Sequence, residues 1–513
     1  LRFWATTLPR RKLLFCTGLA VLILAARLHV VARCAASMPF WDEWDADLMA
    51  LFLPPASGRP GLAALFAVHN EHRIVLTRLL DLALFWLQGR HFDVLTGMII
   101  NQAAFSIFGV ALLVYLGREL GEAARATLLL AGAAVWANPF GWQAITWSFE
   151  SQIYMCIMLS VLAFALIARA APNQPAFWVG ILAACLSVIS FGAGIATVAT
   201  VMVLVAAHHL PGPHWRKACA ALAILAAVLA AGIIATPTGN DLHLTHSWMM
   251  MAKTALAVLA WPRGPHSPAF IYWPAACLLG WGIWRKPVRD NFFWFVLAVA
   301  IWQAGLAVQI AISRYDDPIS SRYTELLILG IVSNLACVLR LGVVLGLNLG
   351  LGRLLNGALL QRAAWVGLAG AWLVLLVMGV VHRIPVLTTD IAAKRSTSFA
   401  EAFDVARYLK TGDMAFMRPP AVIPYHTPDA LAAELRASIA SDSPDASNLP
   451  PSRPPASDGT GLFVPNLLDG DTPKGGKWRK HLGHIATGAA LAGIMLLMLA
   501  AVPRPARMAW RPA

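Results

Sequence analysis

Apolar runs long enough to cross a bilayer recur along this chain from residue 13 to residue 501, and nothing else in the sequence constrains its fold as strongly. Inside hydrocarbon every backbone amide and carbonyl must be paired within the segment, so each run is predicted to be a helix. Of the 513 residues, 58% are hydrophobic and only 13% charged, and the mean hydropathy is +0.65. A soluble domain carries about twice that share of charge. The expected class is an all-α polytopic membrane protein, and a soluble enzyme is excluded.

Read in order, the runs give about twelve spans of roughly 17–25 residues. They lie near 13–32, 93–116, 123–137, 151–169, 176–190, 193–208, 218–236, 268–284, 291–312, 324–340, 363–381 and 483–501. The runs at 123–137 and 176–190 are short. The stretch 176–208 has Ser190-Phe191-Gly192-Ala193-Gly194 at its middle, and reads either as two short helices with a tight glycine turn or as one long tilted helix.

The net charge of +14 comes from short basic clusters between the runs, which is a topological signal rather than a nucleic-acid footprint. Arg10-Arg11-Lys12, Arg118 with Arg125, Arg169, His214 to Lys217, Arg285-Lys286, Arg340 to Arg362 and Arg504 to Arg511 fall on alternate ends. Placed on the cytoplasmic side, they put both termini there. Arg27 and Arg33, late in the first span, break the pattern unless both snorkel to the interface. A cleaved signal peptide is the alternative for that span, but its removal would send the basic clusters to the wrong side. The seven cysteines contain no CxxC pair and read as buried apolar residues rather than a disulfide framework or metal site.

This topology turns residues 33–92, 138–150, 237–267, 313–323 and 382–482 outward. Residues 1–382 form the expected membrane module. A small helical segment follows over 383–440, where Phe399, Phe403, Ala406 and Leu409 recur at helical spacing and Thr427-Pro428 opens a helix. Residues 441–480 are rich in Pro, Ser, Asp and Gly and read as a disordered tether to a terminal helix within 481–513.

Four outward segments concentrate polar residues beside aromatics. Pro39-Phe40-Trp41-Asp42-Glu43-Trp44-Asp45-Ala46-Asp47 packs four carboxylates directly after the first span. Carboxylates at the hydrocarbon edge generally have a partner or a task, although a solvated acidic turn is the plainer reading. His69-Asn70-Glu71-His72-Arg73, with Arg78 and Asp81, closes a helix whose apolar face is Leu62, Leu65, Phe66 and His69. Anion or substrate binding, a metal pair and structural ion pairing are all open there, although no third metal ligand is evident. Asn138 to Gln143 leads through Trp147 to Glu150 and Gln152, which enter a helix where polar groups face the bundle interior or bond to other helices. Ser313-Arg314-Tyr315-Asp316-Asp317, followed by Ser321-Arg322-Tyr323, puts two Arg-Tyr pairs on the outward side, for phosphate recognition or for salt bridges to Asp316 and Asp317. Together these residues would suit a lipid-linked anionic substrate. A carboxylate would take a proton from an acceptor hydroxyl while arginines hold the leaving phosphate.

The pattern resembles the GT-C superfamily of membrane glycosyltransferases over residues 1 to about 382. A first span followed at once by Trp41-Asp42-Glu43, a long first outer loop and about a dozen spans carry the resemblance. Ser321-Arg322-Tyr323 at the head of a late span is similar to the bacterial aminoarabinose- and mannose-transferase-like group. The resemblance implies inverting transfer of a sugar from a polyprenyl-phosphate donor to a glycan or lipid acceptor at the periplasmic face of a bacterial inner membrane. Asp42 takes the role of base or acceptor-positioning group, with Glu43 as its neighbour and stand-in. Arg314 and Arg322 are phosphate candidates by chemistry and side. His69, Glu71, His72, Arg73, Glu150, Gln152, Tyr315 and Tyr323 are the remaining substrate-binding candidates. Transfer is expected to need no cofactor, with a divalent metal left open. The competing readings are a transporter or flippase of lipid-linked glycans, which the lack of an internal repeat weakens, and a polysaccharide polymerase or ligase.

Overall fold

A computed structural model describes residues 10–36, 38–52, 62–70, 72–88, 92–234, 247–264, 267–284, 290–314, 319–344, 358–418, 427–433 and 477–501. Among them there is no β-strand, and helices occupy every expected span. Eight are long and apolar enough to cross a membrane: Arg10–Cys34, Val94–Glu119, Ser148–Ile167, Trp215–Ile234, Asn291–Ser313, Ser321–Val343, Ala363–Tyr408 and Trp478–Ala501. The chain is thus an all-α protein with the features of a multi-pass membrane protein. The other four expected spans are the shorter helices Glu122–Trp136, Pro175–Val188, Gly194–Leu204 and Pro268–Trp284.

In chain order the main helices are α1 (Arg10–Cys34), α2 (Leu62–Phe66), α3 (Val75–Leu87), α4 (Val94–Leu116), α5 (Glu122–Trp136), α6 (Trp142–Ile145), α7 (Ser151–Ile167) and α8 (Pro175–Val188). They continue as α9 (Gly194–Leu204), α10 (Trp215–Ile234), α11 (Trp248–Leu259), α12 (Pro268–Trp284), α13 (Asn291–Ser313), α14 (Thr324–Val344), α15 (Ala358–Thr411) and α16 (Lys477–Ala501). α7 and α14 are the most enclosed of the long spans, whereas α10 and α16 expose most of their apolar side chains, as lipid-facing helices do. Where apolar burial gives little preference for one helix over another, small residues and buried hydroxyls set the packing. α1 and α16 approach backbone to backbone, and a Cβ on Gly18 would stand 3.0 Å from the Gly493 carbonyl oxygen. Thr197 links α9 to α7 through Ser160 at 2.6 Å and to α13 through the Trp302 indole at 3.0 Å.

The stretch 176–208 is two helices, α8 and α9. The turn is tight because Gly194 lies against the Ser187 carbonyl, where a Cβ would overlap it. α3 is inside out for a soluble helix: Thr77, Arg78 and Asp81 are buried while Leu79, Trp86 and Leu87 are exposed. That is the pattern of a helix with lipid on its outer face.

Two expectations need correction. α2 stops at Phe66 instead of running to His69, because the guanidiniums of Arg73 and Arg78 take the carbonyls of Phe66, Ala64 and Ala67 that a further turn would have used. Arg27 does not snorkel; it is fully buried, and only Arg33 is exposed. α15 runs 54 residues, continuous through residue 382, roughly 80 Å at 1.5 Å per residue. Pro385 lies within it, and its carbonyl accepts from the Thr388 and Thr389 hydroxyls at 2.8 and 3.0 Å. The far end of α15 packs Ala402, Val405 and Tyr408 with Leu431 and Ala432 onto the end of α1 and the loop after it. Residues 441–476 of the expected tether lie outside the described residues.

Candidate functional site

The C-terminal ends of α1, α8 and α13 and the N-terminal ends of α4, α7, α9 and α14 meet at one end of the bundle. There the four polar segments converge. A small cleft of about 50 Å³ is lined by Asp42, His69, Asn70, His72, Phe149, Glu150, Gln152, Ile153, Phe191, Arg314, Arg322 and Tyr323. Eight of the twelve residues picked out from sequence are in that lining. Glu71 and Tyr315 lie outside the described residues. Arg73 and Glu43 are described but do not line the cleft.

Each wall has a local cause. His69 and His72 close a tight turn through reciprocal backbone hydrogen bonds of 2.9 Å, with Asn70 at φ 49°, a left-handed conformation that asparagine tolerates. The turn aims both imidazoles at the cleft. Nε2 of His69 stands 3.5 Å from Oδ2 of Asp42, and its ring meets Phe149 edge-on. The His72 ring lies over Phe191, with Gly192 so close that a Cβ there would be 2.6 Å from Nδ1.

Glu43 serves the loop rather than the cleft. Its Oε1 accepts from the Ser148 hydroxyl and, at 3.1 Å, from the Phe149 amide; its Oε2 accepts from the Phe40 amide at 2.8 Å. The Trp147 indole donates to the Phe40 carbonyl at 3.1 Å. These bonds pin the loop carrying Asp42 to the turn carrying Glu150. Burial pushes the Glu43 carboxyl up to about 7, against the hydrogen bonds from Ser148, Phe40 and Phe149. Behind it Asp47 and Asp81 are a buried carboxyl pair close to Arg78. Burial raises both carboxyls, Asp81 and Glu43 raise Asp47 further, and Arg78 works the other way. Arg78 makes its hydrogen bonds to the backbone, donating from Nη1 to the carbonyls of Ala64, Leu65 and Ala67.

Gln143 builds the opposite wall. Its Oε1 accepts from the Ser320 hydroxyl at 2.9 Å and the Arg322 amide at 3.2 Å, and its own amide donates to Ser321 Oγ at 3.1 Å. Arg322 is thereby set with its guanidinium 5.2 Å from the Tyr323 ring and its Nη1 3.8 Å from Glu150 Oε1. That separation is wide for an ion pair, and Glu150 Oε2, Gln152 Oε1 and Arg322 Nε are buried without a hydrogen-bond partner. Orphaned polar atoms converging on one cleft are what a polar ligand would satisfy.

A second cavity of about 230 Å³ adjoins the cleft and shares His72, Phe191, Arg314 and Tyr323 with it. Its other walls include Ile195, Leu306, Ile310 and Leu326, from α9, α13 and α14. A polar head and an apolar groove are therefore contiguous. Among the described residues no group of three His, Cys, Asp or Glu side chains is placed to hold a metal ion.

Sequence reasoning passed over two features. Phe149 and Phe191 floor the cleft, and no local pattern marks them out from other interfacial aromatics. Glu325 is a carboxylate inside an apolar span, and its rarity there was a usable signal. It receives the fully buried Arg27.

No protein family, curated protein or solved structure matches this chain.

Proposed function

We propose that this protein is a glycosyltransferase of the bacterial inner membrane, moving a sugar from a polyprenyl-phosphate donor to a cell-envelope glycan or lipid at the outer face, with both termini cytoplasmic. One observation carries the reading: carboxylates, histidines and arginines from four separate segments line one cleft that opens into an apolar groove. An isoprenoid chain fits the groove and a phosphate fits Arg314 and Arg322. Asp42 accepts the proton of the acceptor hydroxyl as that oxygen bonds to the anomeric carbon. The bond from that carbon to the phosphate oxygen breaks, and the charge left on the phosphate is held by the arginines. His69 orients Asp42, and Glu43 holds the loop on which Asp42 stands.

The test is to delete the gene in its host, complement with wild type or Asp42→Asn at matched expression, and profile envelope glycans by mass spectrometry. Wild type restoring a sugar mass that the variant does not, with a loss of about a hundredfold or more, supports the assignment. Equal restoration would remove Asp42 as base and favour a transporter or flippase. That second reading draws on the buried Arg27–Glu325 pair, an intramembrane charge pair of the kind transport proteins use. Loss of a whole preassembled glycan rather than one sugar would instead indicate a polymerase or ligase.

A further inference from the structure

A cavity of about 890 Å³ lies between the cleft-end turn of α1 and residues 387–404 of α15, and shares no lining residue with the cleft. Its wall is divided by chemistry. Leu387, Ile391, Phe399 and Phe403 give an apolar floor, while Arg33 and Arg395 stand at the rim and are solvent-exposed. Asp404 is the one carboxylate in the lining, so two guanidiniums leave the rim net positive. The cavity also begins where a lipid-facing stripe ends. Val374, Val377, Met378, Val381, Ile384 and Val386 are all exposed on α15 immediately before Leu387.

We infer that this cavity seats an anionic lipid, its phosphate on Arg33 and Arg395 and its chain against the floor supplied by α15. A chain travelling along the exposed stripe reaches the floor without crossing water. Arg33 lies in the last turn of α1 and Arg395 lines the same cavity from within α15; paired guanidiniums suit a phosphate headgroup, and a net anionic headgroup gains more from them than a zwitterionic one. The site is separate from the cleft and does not depend on the glycosyltransferase reading.

The test uses the purified full chain in lipid nanodiscs and native mass spectrometry after release, with phosphatidylglycerol and phosphatidylcholine as probes. Retained phosphatidylglycerol, a preference over phosphatidylcholine, and a loss of roughly tenfold in Arg33→Gln/Arg395→Gln are expected. Ala392→Trp, at an exposed cavity-lining position, narrows the space while keeping both arginines and should also weaken lipid retention. Equal retention of the two lipids, or undiminished retention in either variant, would overturn the proposal. Displacement of phosphatidylglycerol by millimolar inorganic phosphate would also overturn it, since the rim would then read a free anion and the floor would be idle.

Discussion

The Arg27 guanidinium donates to Glu325 Oε1 at 2.7 Å with neither side chain in contact with solvent, joining the first long helix to one nearly 300 residues away in sequence. Arg27 also donates to Gln102 Oε1 at 2.6 Å, the Trp136 carbonyl at 3.0 Å and the Tyr154 hydroxyl at 2.9 Å. One side chain thus ties α1 to α4, α5, α7 and α14. Three residues before Glu325, Arg322 enters the cleft, so the network fixes the register of the helix end that carries it.

Breaking a buried pair strands a charge, whereas replacing both partners does not. Arg27→Met is expected to lower stability by about 3–5 kcal/mol, and Arg27→Met/Glu325→Met to recover most of that loss. Unfolding of the two variants in detergent, followed by tryptophan fluorescence, measures the difference. A double variant as unstable as the single one would show that Arg27 acts through its other three partners.

Glu43 makes the loop pH-sensitive. Its carboxyl is raised from 4.5 to about 7, so its contribution to stability is fully present below about 4.5 and is lost as pH rises through about 7. Wild type should lose thermal stability across that window, with an upper bound of roughly 3 kcal/mol for a shift of this size. Glu43→Gln should show a shallower fall. Some fall should persist, because Asp47 and Asp81 are raised in the same direction. Parallel melting curves for the two proteins from pH 4 to pH 8 would contradict this.

Gly192 leaves room for the His72 ring, and alanine there would place a Cβ 2.6 Å from Nδ1. Gly192→Ala should displace the imidazole from the cleft while the helices stay folded. A displacement of about 1 Å in a catalytic constellation costs up to roughly a hundredfold in rate. The expected result is loss of glycan restoration in complemented cells with normal membrane abundance and melting temperature.

Arg322 stacks beside Tyr323 and faces Glu150, a placement that uses the planar guanidinium. Arg322→Lys keeps the charge and loses the fork. Binding of a polyprenyl phosphate, measured by thermal shift in detergent, should weaken roughly tenfold. Unchanged binding would move phosphate recognition to Arg314 alone.

Much of this protein follows from composition. Hydrocarbon leaves the backbone no alternative to helix, so the positions of α1, α4, α7, α13 and α14 could be read from their apolar runs. The polar segments stood out for the same reason, since Asp42, His69, Glu150 and Arg322 are costly near lipid wherever they occur. Tertiary structure decided what those residues do. Asp42 and Glu43 are adjacent in sequence, yet only one faces the cleft, because Ser148 and Phe149 capture the other from a distant turn. Arg73 and Arg78 bond the carbonyls at the end of α2 rather than lining the cleft, and Arg27 finds Glu325 rather than the interface. Apolar periodicity reports where a helix must be. It carries no record of which polar partner lies across the bundle, and that partner settles whether a charge is structural or free to meet a ligand.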